Sequence, residues 1–156
     1  MRRQARGFTV LEVLLVVAIL ALAAAITAGA LTGGFRGMEL RSTAKEMAAN
    51  LRYTRARAIS TGQPQRFVVD PEAHAWTAPN GRDGEIPQRL SIEFTGAREA
   101  QPTAGQGAIV FFPDGAATGG RITLAVDDAA WRIDVAWLTG EVTVGRVSSQ
   151  ATAIVA

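Results

Sequence analysis

The chain has no cysteine and a single histidine, His74, among its 156 residues. Without thiols no disulfide can staple a domain, so packing alone must stabilise it. A thiolate nucleophile, a nucleophile–histidine pair and a cysteine or histidine metal cluster lack the material to form. Aromatic residues are 6% of the chain, and beside Arg52, Arg55 and Arg57 only Tyr53 is interleaved, fewer than a single-strand binder stacks on. The glycine-rich residues 114–120 lack the Gly-Lys-Ser/Thr ending of a phosphate loop and follow a strand pattern without opening a helix, so they read as a hairpin loop. Asp114, Asp127, Asp128 and Asp134 have no calcium-loop spacing and read as turn and solvent-facing residues. The largest absence is of charge: none of the 23 residues between Glu12 and Arg36 carries one.

That uncharged run follows Gly7-Phe8-Thr9-Val10-Leu11-Glu12-Val13. From residue 13 to 26 every side chain is Val, Leu, Ile or Ala. As a helix the run extends about 34 Å, enough to cross a bilayer core of about 30 Å. Such a segment belongs in lipid, or in a helical bundle that replaces lipid. Glu12 stands at its N-terminal edge, where a carboxylate facing hydrocarbon is costly and needs a partner. Arg2, Arg3 and Arg6 place the N-terminus in the cytoplasm by the positive-inside rule, with everything after Leu31 across the membrane. Residues 1–7 contain those three bases and no acid; the remainder has 13 Lys plus Arg against 14 Asp plus Glu, so the formal charge of +2 becomes −1. The near-neutral balance speaks against nucleic acid as a partner while leaving room for a local basic patch.

A secretory signal has its small-residue cleavage site after the apolar region; here the Gly7-Phe8 junction precedes it. On these residues the sequence resembles the type IV pilin and pseudopilin superfamily. The resemblance implies that a prepilin peptidase cuts between Gly7 and Phe8 and methylates the new N-terminal Phe8. It makes residues 1–7 a leader and residues 8–35 a transmembrane and assembly helix. Glu12, fifth in the mature chain, would pair with the N-terminal amine of a neighbouring subunit. Such an ion pair would neutralise both charges within the membrane and set the register. A signal peptide cut near Ala28 or Ala30, or a plain signal anchor, also explains arginines before an apolar run, but neither predicts a carboxylate inside the apolar boundary.

Further along, Thr32-Gly33-Gly34-Phe35-Arg36-Gly37 is rich in the residue that weakens helices and is expected to bend or melt. Helix periodicity returns over residues 38–61, with Leu40, Ala44, Met47, Leu51 and Ala58 on one face, and Gly62 and Pro64 end it. Arg52, Arg55 and Arg57 read as a solvated face, with phosphate contact as the sharper alternative. Short strands follow. Residues 66–69 and 74–76 form a hairpin that takes in His74 as a strand residue, 79–87 a loop, 90–94 a strand and 96–107 a second loop. Residues 108–112, 121–126, 131–137 and 141–144 read as one antiparallel meander lying on the helix. Trp131, Ile133, Val135 and Trp137 share a face at period two. Core packing and a partner surface are both open for Trp76, Trp131 and Trp137.

The expected fold class is therefore α+β: a long N-terminal helix, half transmembrane and half amphipathic, with the latter packed on an antiparallel sheet over residues 66–146, pilin-like, with 36–156 as the exported domain. Phe111-Phe112-Pro113-Asp114-Gly115, Thr118-Gly119-Gly120 and Trp137-Leu138-Thr139-Gly140 narrow the resemblance to the H-type minor pseudopilins of type II secretion, a group close to the FimT-like minor pilins. That implies a non-enzyme without catalytic residues, cofactor or metal. Its partners would be other minor and major pseudopilins, the prepilin peptidase, an inner-membrane assembly platform and secreted cargo. It would cross the bacterial inner membrane once, place its domain in the periplasm and sit near the tip of a short pseudopilus. The alternative is a FimT-like minor type IV pilin that captures DNA through Arg121, Arg132 and Arg146 with the helix arginines.

Overall fold

The computed structural model describes residues 9–96 and 105–147, without the side chains of residues 26–35. It divides into two compact units, Met1–Arg36 and Gly37–Ala156.

The described part of the first unit is helix. Thr9 caps it: the Glu12 amide donates to Thr9 Oγ1 at 3.2 Å and to the Thr9 carbonyl at 3.0 Å. This satisfies one of the orphan amides that every helix start carries. Helix α1 then runs from Val10 to Thr61. The backbone is helical throughout Thr32-Gly33-Gly34-Phe35-Arg36-Gly37, where the sequence suggested a bend or melted turn. Each glycine costs about 1 kcal/mol against alanine, but both flanks are good helix formers and an established ladder propagates at little cost.

In the second unit α1 buries Leu40, Ala44, Met47, Leu51 and Ala58, as their spacing requires. Thr54 lies fully buried on the same stripe, and its hydroxyl donates back to the Asn50 carbonyl at 2.7 Å, so the polar residue enters the core satisfied. Gly62, at φ 65°, ends the helix in the left-handed conformation that glycine adopts without strain.

Among the described residues eight strands form two four-stranded antiparallel sheets. The first has the order β3-β2-β1-β5, from β1 (Gln65–Asp70), β2 (Ala75–Ala78), β3 (Arg82–Glu85) and β5 (Gly107–Phe111). The second has the order β4-β6-β7-β8, from β4 (Ser91–Gly96), β6 (Gly120–Val126), β7 (Ala129–Val135) and β8 (Val142–Val147). Alternation sends Phe67, Val69, Ile109, Phe111, Ile122, Leu124 and Ile133 inward to one core with the helix stripe.

Three expectations change. The last third is no single meander: β6, β7 and β8 are consecutive neighbours, but β5 pairs with β1, Gln65 opposite Phe111, in the other sheet. Long-range pairing leaves no mark in local periodicity. Residues 79–87 are not all loop, because Asn80 and Gly81, both at positive φ, turn the chain into β3, which pairs with β2. His74 ends the β1–β2 turn at φ 50° and is not a strand residue; its carbonyl accepts from the Ile86 amide at 2.7 Å. Of the second expected loop, residues 97–104 lie outside the described residues.

Candidate assembly surfaces

In the first unit Thr9-Val10-Leu11-Glu12 has the spacing of a capping box, a cap with an acid three residues on. Neither Gly7 nor Phe8 is among the described residues. Glu12 is exposed, and among the described residues no hydrogen bond or ion pair involves its carboxylate. Sequence reasoning that singled out Glu12 missed its local role: a carboxylate in the first turn meets the positive pole of the helix, typically worth about 0.3–1 kcal/mol. The signal was the threonine three residues before the acid.

Beyond it the helix is uncovered among the described residues. Val10, Leu11, Val13, Leu14, Leu15, Val16, Val17, Ile19, Leu20 and Leu22 are 49–79% exposed and occupy every face. Burying ten such side chains is favourable by roughly 15–30 kcal/mol, more than the 5–15 kcal/mol that holds an ordinary domain folded, by about a factor of two. Among the described residues no helix is both long and apolar enough to cross a membrane. Side chains in this run are described only as far as Ala25, whereas the uncharged segment continues to Phe35.

At the Thr61 end of the second unit the two stretches that narrowed the family resemblance come together. The Ala117 amide donates to the Trp137 carbonyl at 2.8 Å, and Gly119 packs so closely that an added Cβ would lie 3.0 Å from Cβ of Trp137. Gly140, at φ 62°, lets its backbone pass against the Gly115 carbonyl, which a side chain there would strike. Asp114 Oδ1 accepts from the Ala116 amide at 3.0 Å and tightens the first loop. Arg55 donates from Nε to the Gly115 carbonyl at 3.0 Å and fastens both loops to α1. The glycine-rich segment is thus no simple hairpin loop: Phe111 and Ala117 form an isolated antiparallel bridge, and the chain then passes from β5 in the first sheet to β6 in the second. The two loops expose Phe112, Trp137 and Leu138 beside Pro113, Asp114 and Thr139, and Ile59 is exposed on α1.

The three tryptophans part company. Trp76 is buried and stacks on Phe67 at 5.7 Å. Trp131 is half-buried, with the Arg41 guanidinium 5.9 Å from its ring centroid. Trp137 lies past the end of β7 and is 69% exposed, so its place in the period-two stripe does not bury it. Leu138 was quoted in the sequence only within the family motif and not as a surface residue; an apolar residue inside a turn, next to a tryptophan, is the signal that could have found it.

The helix arginines are neither a simple solvated face nor a free phosphate site. Arg52 donates to the Val142 carbonyl at 2.9 Å, Arg55 to Gly115, and Arg57 to Asn80 Oδ1 at 3.4 Å. Arg121 and Arg132 share Asp134, at 2.6 and 2.8 Å. Most of the proposed basic patch is therefore engaged inside the domain. Asp70 accepts from the Ala73 and Glu72 amides and from Gln106. The Ala73 bond first, then Gln106, hold its carboxyl below the ordinary value. Among the described residues no three His, Asp or Glu side chains gather as a metal site.

A family model described as type II transport protein GspH matches residues 43–140, and one described as the prokaryotic N-terminal methylation motif matches residues 2–28. The chain is 56% identical over 150 residues to type II secretion system protein H of Xanthomonas campestris pv. campestris, covering 96% of this chain and 89% of that one. Among solved structures, the minor pseudopilin EpsH from the type 2 secretion system of Vibrio cholerae superposes with a TM-score of 0.55 at 16% identity, over 69% of this chain and 97% of that one. The type IV minor pilin FimU of Pseudomonas aeruginosa does so at 0.51 and 16% identity, over 69% and 88%. At these identities the likeness is one of fold.

Proposed function

Because this chain belongs to the type II transport protein GspH family, we propose that its work is assembly, as a minor pseudopilin of a type II secretion system. The N-terminal methylation motif means processing by a prepilin peptidase. In our reading the cut falls between Gly7 and Phe8, and Phe8 becomes the methylated N-terminus. Residues 8–35 then cross the inner membrane, with the leader arginines on the cytoplasmic side and the second unit in the periplasm.

The observation that carries this reading is the helix of the first unit, apolar on every face with one unpaired carboxylate at its start. Lipid can cover such a surface, and so can other helices of the same kind. Transfer from lipid to a filament of like helices exchanges one apolar surround for another, so packing and the polar contact decide the outcome. Glu12 supplies that contact by accepting the ammonium of a neighbouring subunit. Two charges that are costly apart in hydrocarbon become one neutral pair, and only one axial stagger lets them meet. The inner-membrane assembly platform drives the insertion, and the periplasmic domain joins other minor pseudopilins near the filament tip, within reach of secreted cargo.

Two measurements test it. Mass spectrometry of the membrane-extracted protein should show loss of seven residues and one added methyl at Phe8; an intact Met1 start overturns the reading. Glu12→Leu should be processed normally yet fail to crosslink into the filament; normal incorporation and secretion would remove the docking role.

A further inference from the structure

We propose that the cleft between α1 and the β7–β8 turn of the second unit is a receptor for a carboxylate, an aspartate or glutamate side chain carried by a partner protein and held between Arg52 and Arg55.

The cleft has a volume of about 490 Å³ and is lined by Arg52, Arg55, Thr139, Gly140, Glu141 and Val142. The two arginines, three residues apart, share one face of the helix. Arg52 donates from Nη2 to the Val142 carbonyl at 2.9 Å and Arg55 from Nε to the Gly115 carbonyl at 3.0 Å. A carbonyl orients a guanidinium without neutralising it. Each guanidinium carries five N–H donors, and those not given to the carbonyls have no partner among the described residues. Nor does any Asp or Glu among those residues form an ion pair with either arginine. Two like charges therefore share one cleft, and a single carboxylate between them would relieve their repulsion while accepting from both.

The seat of Arg55 is built. A Cβ on Gly140 would lie 2.9 Å from its Nε, and a Cβ on Gly115 would lie 3.0 Å from its Nη2. Both glycines have positive φ, 62° and 89°, so two turns leave out a side chain where the guanidinium lies. Pinning those turns uses one donor of the five. A fork fixed in this way loses little freedom when it takes a ligand.

The rest of the lining selects the occupant. A guanidinium fork fits carboxylate and phosphate alike. Glu141, however, lines the same cleft, and Asp114 is exposed in the adjoining loop. A nucleic-acid backbone or a free dicarboxylate would bring further negative charge against them; a lone carboxylate in a neutral surround would not. A free monocarboxylate is too little, because an ion pair open to water is worth at most about fivefold in affinity. The carboxylate therefore arrives on a protein surface that supplies the remaining contact. The cleft lies wholly within the second unit, and its ligand depends neither on membrane crossing nor on filament assembly.

The test applies a water-soluble carbodiimide to membranes of the protein's own host carrying Arg52→Lys in the full chain. The introduced amine condenses with a carboxylate in contact with it, losing water, whereas the guanidinium of the wild type does not react. Mass spectrometry should map the adduct at position 52 to an Asp or Glu of a second protein. Adding Arg55→Gln should lower its yield about tenfold, and adding Glu141→Gln should leave it in place. Arg52→Glu should lower co-purification of that protein about tenfold, and arginine in place of the mapped acid should restore it. Coupling only to Glu141, coupling to no protein, an adduct indifferent to Arg55, or a charge exchange that restores nothing would overturn the proposal. So would saturable binding of succinate by the detergent-purified chain in titration calorimetry, which makes the source a free acid, and so would retention of a DNA duplex that Arg52→Gln abolishes, which makes the ligand phosphate. Should Arg55→Gln shift the thermal unfolding of the second unit, the Arg52→Glu exchange alone decides. None of these outcomes touches processing at Gly7 or docking through Glu12, so the pseudopilin reading stands or falls separately.

Discussion

The two halves of α1 have the same backbone and opposite surroundings. In the first unit apolar side chains are exposed on all sides. In the second, one stripe from Leu40 through Met47 and Leu51 to Ala58 is sealed under two sheets, and polar side chains face outward or reach across to loops. Hydrogen bonding along the helix is indifferent to this contrast. Side-chain pattern alone decides that one half is completed by its own chain and the other only by lipid or by further subunits.

The sharpest way to break the contrast is at Glu12. At the helix start the Glu12 side chain makes no hydrogen bond among the described residues, so glutamine forfeits only the weak interaction with the helix pole, whereas the proposed intersubunit ion pair requires the charge. Glu12→Gln should therefore start the helix normally, as judged by circular dichroism of the detergent-extracted chain, and lower filament incorporation about a hundredfold or more, the scale of an orphaned buried partner. Wild-type incorporation would reduce Glu12 to a first-turn charge at the helix pole.

Next comes paired truncation of the helix. Leu51→Ala should lower the stability of the second unit by about 2–5 kcal/mol, while Leu14→Ala should leave its thermal unfolding in place. Equal shifts would mean that the halves are not separately completed. Gly140→Ala forces a side chain into the left-handed region and against the Gly115 carbonyl, and should cost about 1–3 kcal/mol in the same melt. Arg55→Ala should cost about 1–2 kcal/mol through the lost bond to that carbonyl.

The smallest effect separates two acids. Asp70 is held below the 3.8 of a free carboxyl, chiefly by the Ala73 amide and then Gln106. A carboxyl depressed on folding contributes stability above its unfolded value and loses it as pH falls through the folded one. Unfolding midpoints should therefore drop more steeply below pH 3.8 in the wild type than in Asp70→Asn. Glu12→Gln should leave that slope unchanged, because its carboxylate has no partner inside the described fold.

Both helix halves were legible from spacing and from the absence of charge. The stripe of five residues is buried as read, and the β6–β7–β8 run follows from alternation and turn residues. The sheet division was not legible, because the pairing of Gln65 with Phe111 depends on residues 46 positions apart in the chain. β3 was missed because Arg82-Asp83-Gly84-Glu85 has no apolar alternation to read; an edge strand is held by its backbone. The arginines were misread because a guanidinium that reaches a distant carbonyl and one that faces water look the same in sequence. Along these two loops the motif residues were visible, but the close passes of Gly119 on Trp137 and of Gly140 on the Gly115 carbonyl were not.

The charged edge of the first sheet bears on crowding. A strand with three formal charges in four residues is a poor template for further pairing, since an incoming chain would have to bury or match each of them. Two such domains meeting at high local concentration are thereby discouraged from merging their sheets into a continuous ribbon.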